Sequence, residues 1–275
     1  MPSIRMEIRL LKNPDEYHQC ERLQMHAWGT VDVGGGVLTA MQKAGGVVIG
    51  TIHNGRVAGF LCAFLGRYHG RLIHWSHMMA VESKLRNQGC GFRMKLLHRE
   101  LALERGIKHI CWTYDPLQSR NAKLNILRLG GIVEEYAPDC YGHFPSVIEK
   151  GLPSDRFVVN WRIGTSRVAR RLRGETPPFD VSLARVNQTR MNARGFPENL
   201  DLHLNLANPL LLVEIPAQTD QMRSRALPLA RRWRLESRRI FSHYFSSGYR
   251  VEDFYPPDPA TNGRCFYLLR RAPRR

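Results

Sequence analysis

One stretch, residues 72–106, constrains the fold of this chain more than any other. It joins an apolar and aromatic run, Leu72 to Val81, to a short polar loop that ends at Gly91. Apolar residues then recur at helical spacing up to Gly106, a residue type common at helix ends. A strand that turns through glycines into a helix leaves backbone N–H groups unpaired at the helix N-terminus. These donors and the helix dipole favour an anionic group such as a phosphate.

The loop within this stretch reads Arg86-Asn87-Gln88-Gly89-Cys90-Gly91. Its glycines allow a ligand to approach the backbone closely. The loop lacks the third glycine of a dinucleotide fingerprint and the Gly-Lys-Ser/Thr end of a P-loop. On the loop alone, an ordinary strand-to-helix turn is an equally good interpretation.

Together with its flanks, the loop forms the longer pattern Met79-x-Val81-x-x-x-x-Arg86-x-x-Gly89-x-Gly91-x-x-Met94. This pattern resembles the signature of the GNAT superfamily of N-acetyltransferases, over about residues 4–163, and the whole chain resembles a bacterial group of the family with a C-terminal extension. Ser83 stands where the family often has proline. The resemblance implies that acetyl-CoA is a co-substrate. It also implies that the cofactor-binding residues are Met79, Ala80, Val81, Arg86, Asn87, Gln88, Gly89, Cys90, Gly91 and Phe92.

Hydrophobic periodicity predicts the element order β-α-α-β-β-β-α-β-α-β-β up to residue 163. This order is similar to that of the GNAT fold, an α/β (α+β) class with a mixed, mostly antiparallel central sheet flanked by helices. We expect residues 1–163 to form an acyl-CoA-binding domain. Residues 164–275 are expected to form an arginine-rich extension that packs on it. In this extension, residues 164–195 look like a linker or an irregular wrap, and a β-α-β-β order follows.

The helix predicted at 119–129 matches a family region in which a tyrosine often protonates the departing CoA thiolate. That position is Ile126 here, so the usual general acid is absent. Tyr141 is the first candidate to replace it, with a structural tyrosine as the alternative. Asn121 and Asn125, four residues apart on one helix face, are candidates for contact with CoA or are plain surface polar groups.

A general base should lie on the pocket face of the strand that ends at Val81. Strand alternation predicts that Trp75, His77 and Met79 share one face. His77 is the titratable residue among them, and an imidazole pKa near 6.5 suits this role. A packed strand histidine is the alternative. Asp32, in the glycine-rich loop after the first helix, is a candidate acceptor contact or a solvated aspartate.

Charge and composition narrow the class of protein. The net charge is +17, and residues 164–275 carry 20 Arg and no Lys against 10 acidic residues. Nucleic acid is the less favoured partner, because no nucleic-acid motif accompanies this charge. We expect a cytoplasmic protein without a membrane partner, since no apolar run reaches the ~20 residues of a bilayer span and the N-terminus lacks a signal-peptide core. The six cysteines form no CxxC pair, so no metal site is predicted.

These observations predict a GNAT-type N-acetyltransferase. It would move an acetyl group from acetyl-CoA to the primary amine of a small molecule or peptide, directly within a ternary complex. A non-catalytic acyl-CoA sensor is one alternative, and a nucleic-acid-associated protein is another. The acceptor and the acyl length stay open, and a homodimer is compatible with the sequence.

Overall fold

The structure, a computed structural model, describes residues 6–142 and 151–272. Its elements are β1 (Met6–Leu10), α1 (Pro14–Trp28), α2 (Gly35–Lys43), β2 (Val47–His53), β3 (Arg56–Tyr68), β4 (Arg71–Val81), α3 (Cys90–Glu104), β5 (His109–Tyr114), α4 (Ser119–Ala122), β6 (Ile132–Ala137), β7 (Arg156–Arg162), α5 (Ser166–Leu172), β8 (Asn187–Met191), β9 (Pro197–Leu202), β10 (Leu210–Ile215), α6 (Thr219–Arg225), α7 (Leu227–Ser246), β11 (Tyr249–Tyr255) and β12 (Cys265–Arg271). A 3₁₀ turn, Ser83–Leu85, precedes α3, and a π-helical segment, Lys123–Arg128, continues α4. The order predicted up to residue 163 is confirmed.

The chain divides into two compact units. Among the described residues, the first unit holds 6–112 and 162–164, and the second holds 113–142, 151–161 and 165–272. This division differs from the domain boundary expected at residue 163. The reason lies within the second unit, where β6 pairs with β11 and Phe157 of β7 packs its ring against Phe241 of α7. The functional division at residue 163 stays a prediction.

In the first unit, β1 to β4 pair in sequence order as an antiparallel sheet, and β5 joins β4 in parallel. Helices α1 and α2 cover one face of this sheet, where Leu38 and Phe60 are fully buried. Helix α3 covers the other face, where Met94 packs against Ile49 and Leu61. These apolar contacts place the N-terminus of α3 beside the end of β4. The mixed, mostly antiparallel sheet flanked by helices is thus confirmed.

In the second unit, the strands follow the order β7-β6-β11-β12-β10, and each neighbouring pair is antiparallel. Its core is aromatic. The ring of Phe157 contacts those of Tyr114, Tyr136, Phe241, Phe245 and Tyr267. The predicted β-α-β-β series after residue 209 is present, and the helix is broken at Ala226, with Pro228 in the first turn of α7.

The linker expected at residues 164–195 is wrong. Helix α5 and strand β8 lie in it, and β8 forms a two-stranded sheet with β9. The Thr165 side chain caps α5, and Val168 is buried on its inner side. Arg171 is buried as well and pairs with Asp253. The arginine-rich composition concealed this helix, because two of its three arginines, Arg167 and Arg171, pair with the Asp253 carboxylate.

The arginines after residue 163 are largely used inside the second unit. Ten of them form ion pairs with carboxylates: Arg167, Arg171, Arg173, Arg223, Arg232, Arg234, Arg238, Arg250, Arg264 and Arg270. Arg223 and Arg234 share Asp115, and Arg238 holds Asp155.

Of the helices that the structure describes, none is long and apolar enough to cross a bilayer. Within residues 6–142 and 151–272, no three His, Cys, Asp or Glu side chains are grouped so that they could hold a metal ion.

Candidate active site

The loop between β4 and α3 has a left-handed backbone at two points. Asn87 has φ +64° and Gly89 has φ +81°, and Gly89 is the N-cap residue of α3. A side chain with a Cβ is strained in this region, so glycine suits the second position. Arg86 is exposed, and its Nε donates to the backbone oxygen of Val81 at 3.2 Å. The loop thus turns sharply and presents its backbone to solvent.

The N-terminus of α3 is open. No side chain caps it, and among the described residues the backbone amides of Gln88, Gly89 and Gly91 donate no hydrogen bond to protein. A Cβ on Gly91 would lie 3.3 Å from Cε of Met79, so glycine allows the Met79 side chain to lie close to the start of α3. Free amides at a helix N-terminus fit a pyrophosphate. The geometry therefore agrees with the predicted anion-binding loop.

The side chains of two loop residues, Gln88 and Cys90, contact the protein itself. The Cys90 side chain is buried, and its Sγ lies 3.4 Å from Sδ of Met6. Only the backbone of Cys90 can therefore meet a ligand. The Gln88 side chain donates to the Lys84 carbonyl at 3.0 Å, which steadies the turn, while Phe92 is half-buried.

The end of β4 has one strand neighbour. Met79, Ala80 and Val81 pair with β3, whereas β4 pairs with β5 at His74 and Trp75 only. Among the described residues, the β5 side of Met79 to Val81 therefore has no strand partner. Backbone groups left in this way need another hydrogen-bonding partner. The amides of an acyl-pantetheine are of the right kind.

A β-bulge lies in β4 at His77. Met78 pairs with Cys62 and Ser76 pairs with Ala63, so His77 is the extra residue. The bulge shifts the alternation of side chains by one position. Met79 therefore packs with the α3 core, whereas Met78 joins the core under α1 and α2. The prediction that Trp75, His77 and Met79 share one face is wrong for Met79.

His77 lies in β4, beside Phe64 of β3. Its side chain is exposed, and its ring lies 5.8 Å from that of Phe64. Desolvation by the surrounding protein lowers the pKa of His77 below its usual value, and the Asp32 carboxylate opposes this by raising it. A neutral imidazole at neutral pH can accept a proton. The structure thus brings together two of the predicted site residues.

The loop that carries Asp32 is held by one buried side chain. Gln24 of α1 donates from Nε2 to the Val33 carbonyl at 2.8 Å. Its Oε1 accepts from the amides of Asp32 and Val33 at 3.1 and 3.0 Å. Because both ends of the amide are used, the position of Asp32 is fixed although its side chain is exposed.

In the second unit, the Tyr141 hydroxyl lies 2.7 Å from Oγ1 of Thr113, and 45% of the residue is exposed. Two other tyrosines are structural. Tyr114 meets Tyr267 through their hydroxyls, Tyr136 donates to Asp155, and burial raises the pKa of both Tyr114 and Tyr136. Tyr141 therefore keeps its place as the candidate acid.

The predicted asparagine pair does not form one polar surface. Asn121 is exposed on α4, whereas Asn125 is buried in the π-helical segment. Ile126, at the position of the family tyrosine, is fully buried. Asn121 remains a candidate contact for CoA, while Asn125 lies in the interior and its backbone oxygen accepts from the Gly131 amide.

Sequence reasoning missed a buried polar cluster between β4 and α3. Lys95 donates to Oγ of Ser76 at 3.0 Å, and its ammonium lies 3.6 Å from the Trp112 ring centroid. His74 and His98 meet at 3.0 Å between Nδ1 and Nε2. Since Nε2 of His74 faces the Gly45 carbonyl, it carries the proton, and His74 Nδ1 accepts from His98. The signal in the sequence was a lysine and a histidine on the inner face of α3.

A cavity of about 520 Å³ lies elsewhere, in the second unit. Arg185, Thr189, His203 and Arg264 are among its lining residues. None of the predicted site residues lines it.

No protein-family model matches the chain, and no curated protein matches it. Solved structures do. One is the acetyltransferase of GNAT family from Streptococcus pneumoniae, with 14% identity, 57% of this chain and 98% of that chain covered, and a TM-score of 0.47. The NatC complex bound to Gag peptide and CoA has the same four values. Aminoglycoside 6'-acetyltransferase type Ii has 18% identity, coverage of 57% and 97%, and a TM-score of 0.46. The chain is thus similar to solved acetyltransferases, among them a member of the family that its loop motif resembles.

Proposed function

We propose that this protein is an N-acetyltransferase that transfers the acetyl group of acetyl-CoA to a primary amine in a ternary complex. The observation that carries the proposal is the uncapped N-terminus of α3 behind a left-handed glycine turn, next to a strand end that among the described residues has no strand partner on its β5 side. A pyrophosphate would meet the amides of residues 88–91, with Arg86 beside them. The pantetheine would follow Met79 to Val81.

The bond changes in this reaction are few. The amine nitrogen attacks the thioester carbonyl, a C–N bond forms, the C–S bond breaks, and CoA leaves as a thiolate that takes up a proton. We assign the proton lost by the amine to the His77 imidazole, whose lowered pKa keeps it neutral at neutral pH and so able to accept a proton. An amide N–H near Met79 would stabilise the oxyanion. Tyr141 is the proposed acid for the thiolate.

Calorimetric titration with acetyl-CoA tests the cofactor site. Arg86→Glu should weaken binding by about tenfold or more, because it replaces a cation by an anion beside the phosphates. Arg67→Glu is the matched control, since this exposed residue lies nine positions along β3 from Ala58, roughly 30 Å at strand spacing. Absence of acetyl-CoA binding to the wild type would end the proposal, as would equal weakening by both substitutions.

The second candidate function is a non-catalytic acyl-CoA sensor, which is favoured by the buried Ile126 at the position of the family tyrosine. A measurement of turnover separates an enzyme from such a sensor. His77→Gln should lower the rate of acetyl-CoA consumption by about 10²-fold or more and leave acetyl-CoA affinity unchanged. Tyr141→Phe should lower kcat with the same unchanged affinity. If the wild type binds acetyl-CoA but consumes none with any primary amine, the sensor is the better assignment.

A further inference from the structure

A row of four rings lies on one face of the β3–β4 hairpin, in the order Tyr68, Trp75, Phe64 and His77. Phe64 and Trp75 are opposite each other in the antiparallel register. Tyr68 meets Trp75 edge-on with 5.4 Å between ring centroids, and Phe64 lies 5.8 Å from His77. The row therefore starts at the proposed base and runs away from it along the hairpin.

The row is open to solvent beside the base. Phe64 is 38% exposed, while Tyr68 and Trp75 are half-buried. Trp75 and His77 are two residues apart, roughly 7 Å along a strand. This is the reach of an amine on a short alkyl linker that ends in a ring. Flat apolar groups stack well on such side chains, and ammonium groups are attracted to their faces.

The charge around the row selects against polycations. Among the residues that the structure describes, Asp32 is the one carboxylate whose charge raises the pKa of His77. One carboxylate can pair with one ammonium group, whereas a polyamine carries several ammonium groups and needs several carboxylates. The net charge of +17 also repels polycations at a distance. Arg71, which pairs opposite Tyr68, adds a positive group at the far end of the row.

We propose that the acceptor is an arylalkylamine, with its single ammonium beside Asp32 and His77 and its aromatic ring against Phe64 and Trp75. This inference rests on the proposed function, because it names the acceptor of the same transfer. The ammonium first loses one proton to solvent, and the neutral nitrogen then attacks the thioester. The second proton, which the nitrogen loses as the amide forms, goes to His77, as in the proposed transfer. Phe64 and Trp75 act as specificity-determining residues that bind the body of the acceptor.

The test compares kcat/KM for three probes with acetyl-CoA: 2-phenylethylamine, 2-cyclohexylethylamine and spermidine. The wild type should prefer the phenyl over the cyclohexyl compound by about fivefold, the worth of an aromatic pair beyond its area, and spermidine should be the poorest. Phe64→Leu should lower the phenyl-to-cyclohexyl ratio, with Trp75 left as the one aromatic partner of the proposed pair. Leu72→Ala is the matched control, because this residue is 47% exposed on the opposite face of the hairpin and should leave the ratio unchanged.

Direct titration with 2-phenylethylamine, followed by tryptophan fluorescence, separates this inference from the proposed function. If acetyl-CoA binds but the ratio is one in the wild type, or is unchanged in Phe64→Leu, the acceptor assignment is overturned and the acetyltransferase stands. If acetyl-CoA does not bind, but 2-phenylethylamine binds and Phe64→Leu weakens its binding, the ring row is supported as an amine-binding surface and the acetyltransferase proposal is refuted. A dimer that Phe64→Leu dissociates, with no change of amine preference, would show that the row is a contact between copies and overturn the inference.

Discussion

Replacing Lys95 by methionine should change how the free energy of unfolding depends on pH. Lys95 is 2% exposed, and desolvation lowers its pKa to about 7, an effect that Cys111 slightly opposes. In the unfolded chain a lysine has a pKa of about 10.4. Between these two values the unfolded state holds the proton and the folded state releases it. Stability therefore rises with pH across this window, and methionine removes the rise.

The size of the effect follows from the two pKa values. One pKa unit is worth about 1.4 kcal/mol, so Lys95 lowers the free energy of unfolding by roughly 4 kcal/mol near pH 7 and roughly 2.5 kcal/mol near pH 8.5. The ring face of Trp112 favours the protonated form and offsets up to about 2 kcal/mol of the larger value. The difference between the two pH values is then about 1.6 kcal/mol without this offset and about 0.4 kcal/mol with all of it.

Urea denaturation of wild type and Lys95→Met near both pH values measures this difference. Subtracting the free energy of unfolding of the variant from that of the wild type cancels the contributions of the thiols and surface groups that also titrate. Lys84→Met is the control, since the Lys84 side chain is 69% exposed and should give no pH-dependent difference. If the wild type and Lys95→Met differ by the same amount near pH 7 and near pH 8.5, Lys95 carries the same charge in both states, and the reasoning from burial is refuted.

Three other substitutions test the packing and the charges. Gly131→Ala should lower the melting temperature, with a cost of about 1–3 kcal/mol, because its Cβ would lie 2.6 Å from a valine methyl group; Gly164→Ala, with no atom within 4 Å, should leave it unchanged. Asp253→Asn should cost about 3–5 kcal/mol in urea denaturation, because the buried Arg171 loses its counter-charge; a cost below about 1 kcal/mol would contradict this. Stability should fall as the pH drops from about 6.5 towards 4, since burial lowers the pKa of His74 to about 4; His74→Gln should remove about 3 kcal/mol of that fall, measured by urea denaturation at both ends of the range.

The order of elements could be predicted because its signals are local. Asn54-Gly55 marks the β2–β3 hairpin, and both residues have positive φ in the structure. Asn13 and Pro14 mark the start of α1, where the Asn13 side chain accepts from the Glu16 amide. The glycine loop before α3 is equally local. Each of these features is set by a few neighbouring residues.

The features that the sequence did not predict depend on distant contacts. The bulge at His77 is set by the pairing of β4 with β3, and nothing in the run from His74 to Val81 marks one residue as extra. Helix α5 depends on Asp253, 82 positions away from Arg171. The burial of Asn125 follows from a π-helical segment that helical spacing does not reveal.

The bulge has a consequence for how such a protein changes over time. The bulge adds one residue to the alternation of side chains, so His77 and Met79, two residues apart, lie on different sides of the sheet. If the protein works as proposed, substitutions on the side of His77 would alter which amine is accepted without changing the contacts of the acetyl donor. A single deletion or insertion in β4 would cancel the shift and exchange the two sides at once. We therefore expect β4 to accept substitutions more readily than a change of length, because only a change of length would move side chains from one side of the sheet to the other.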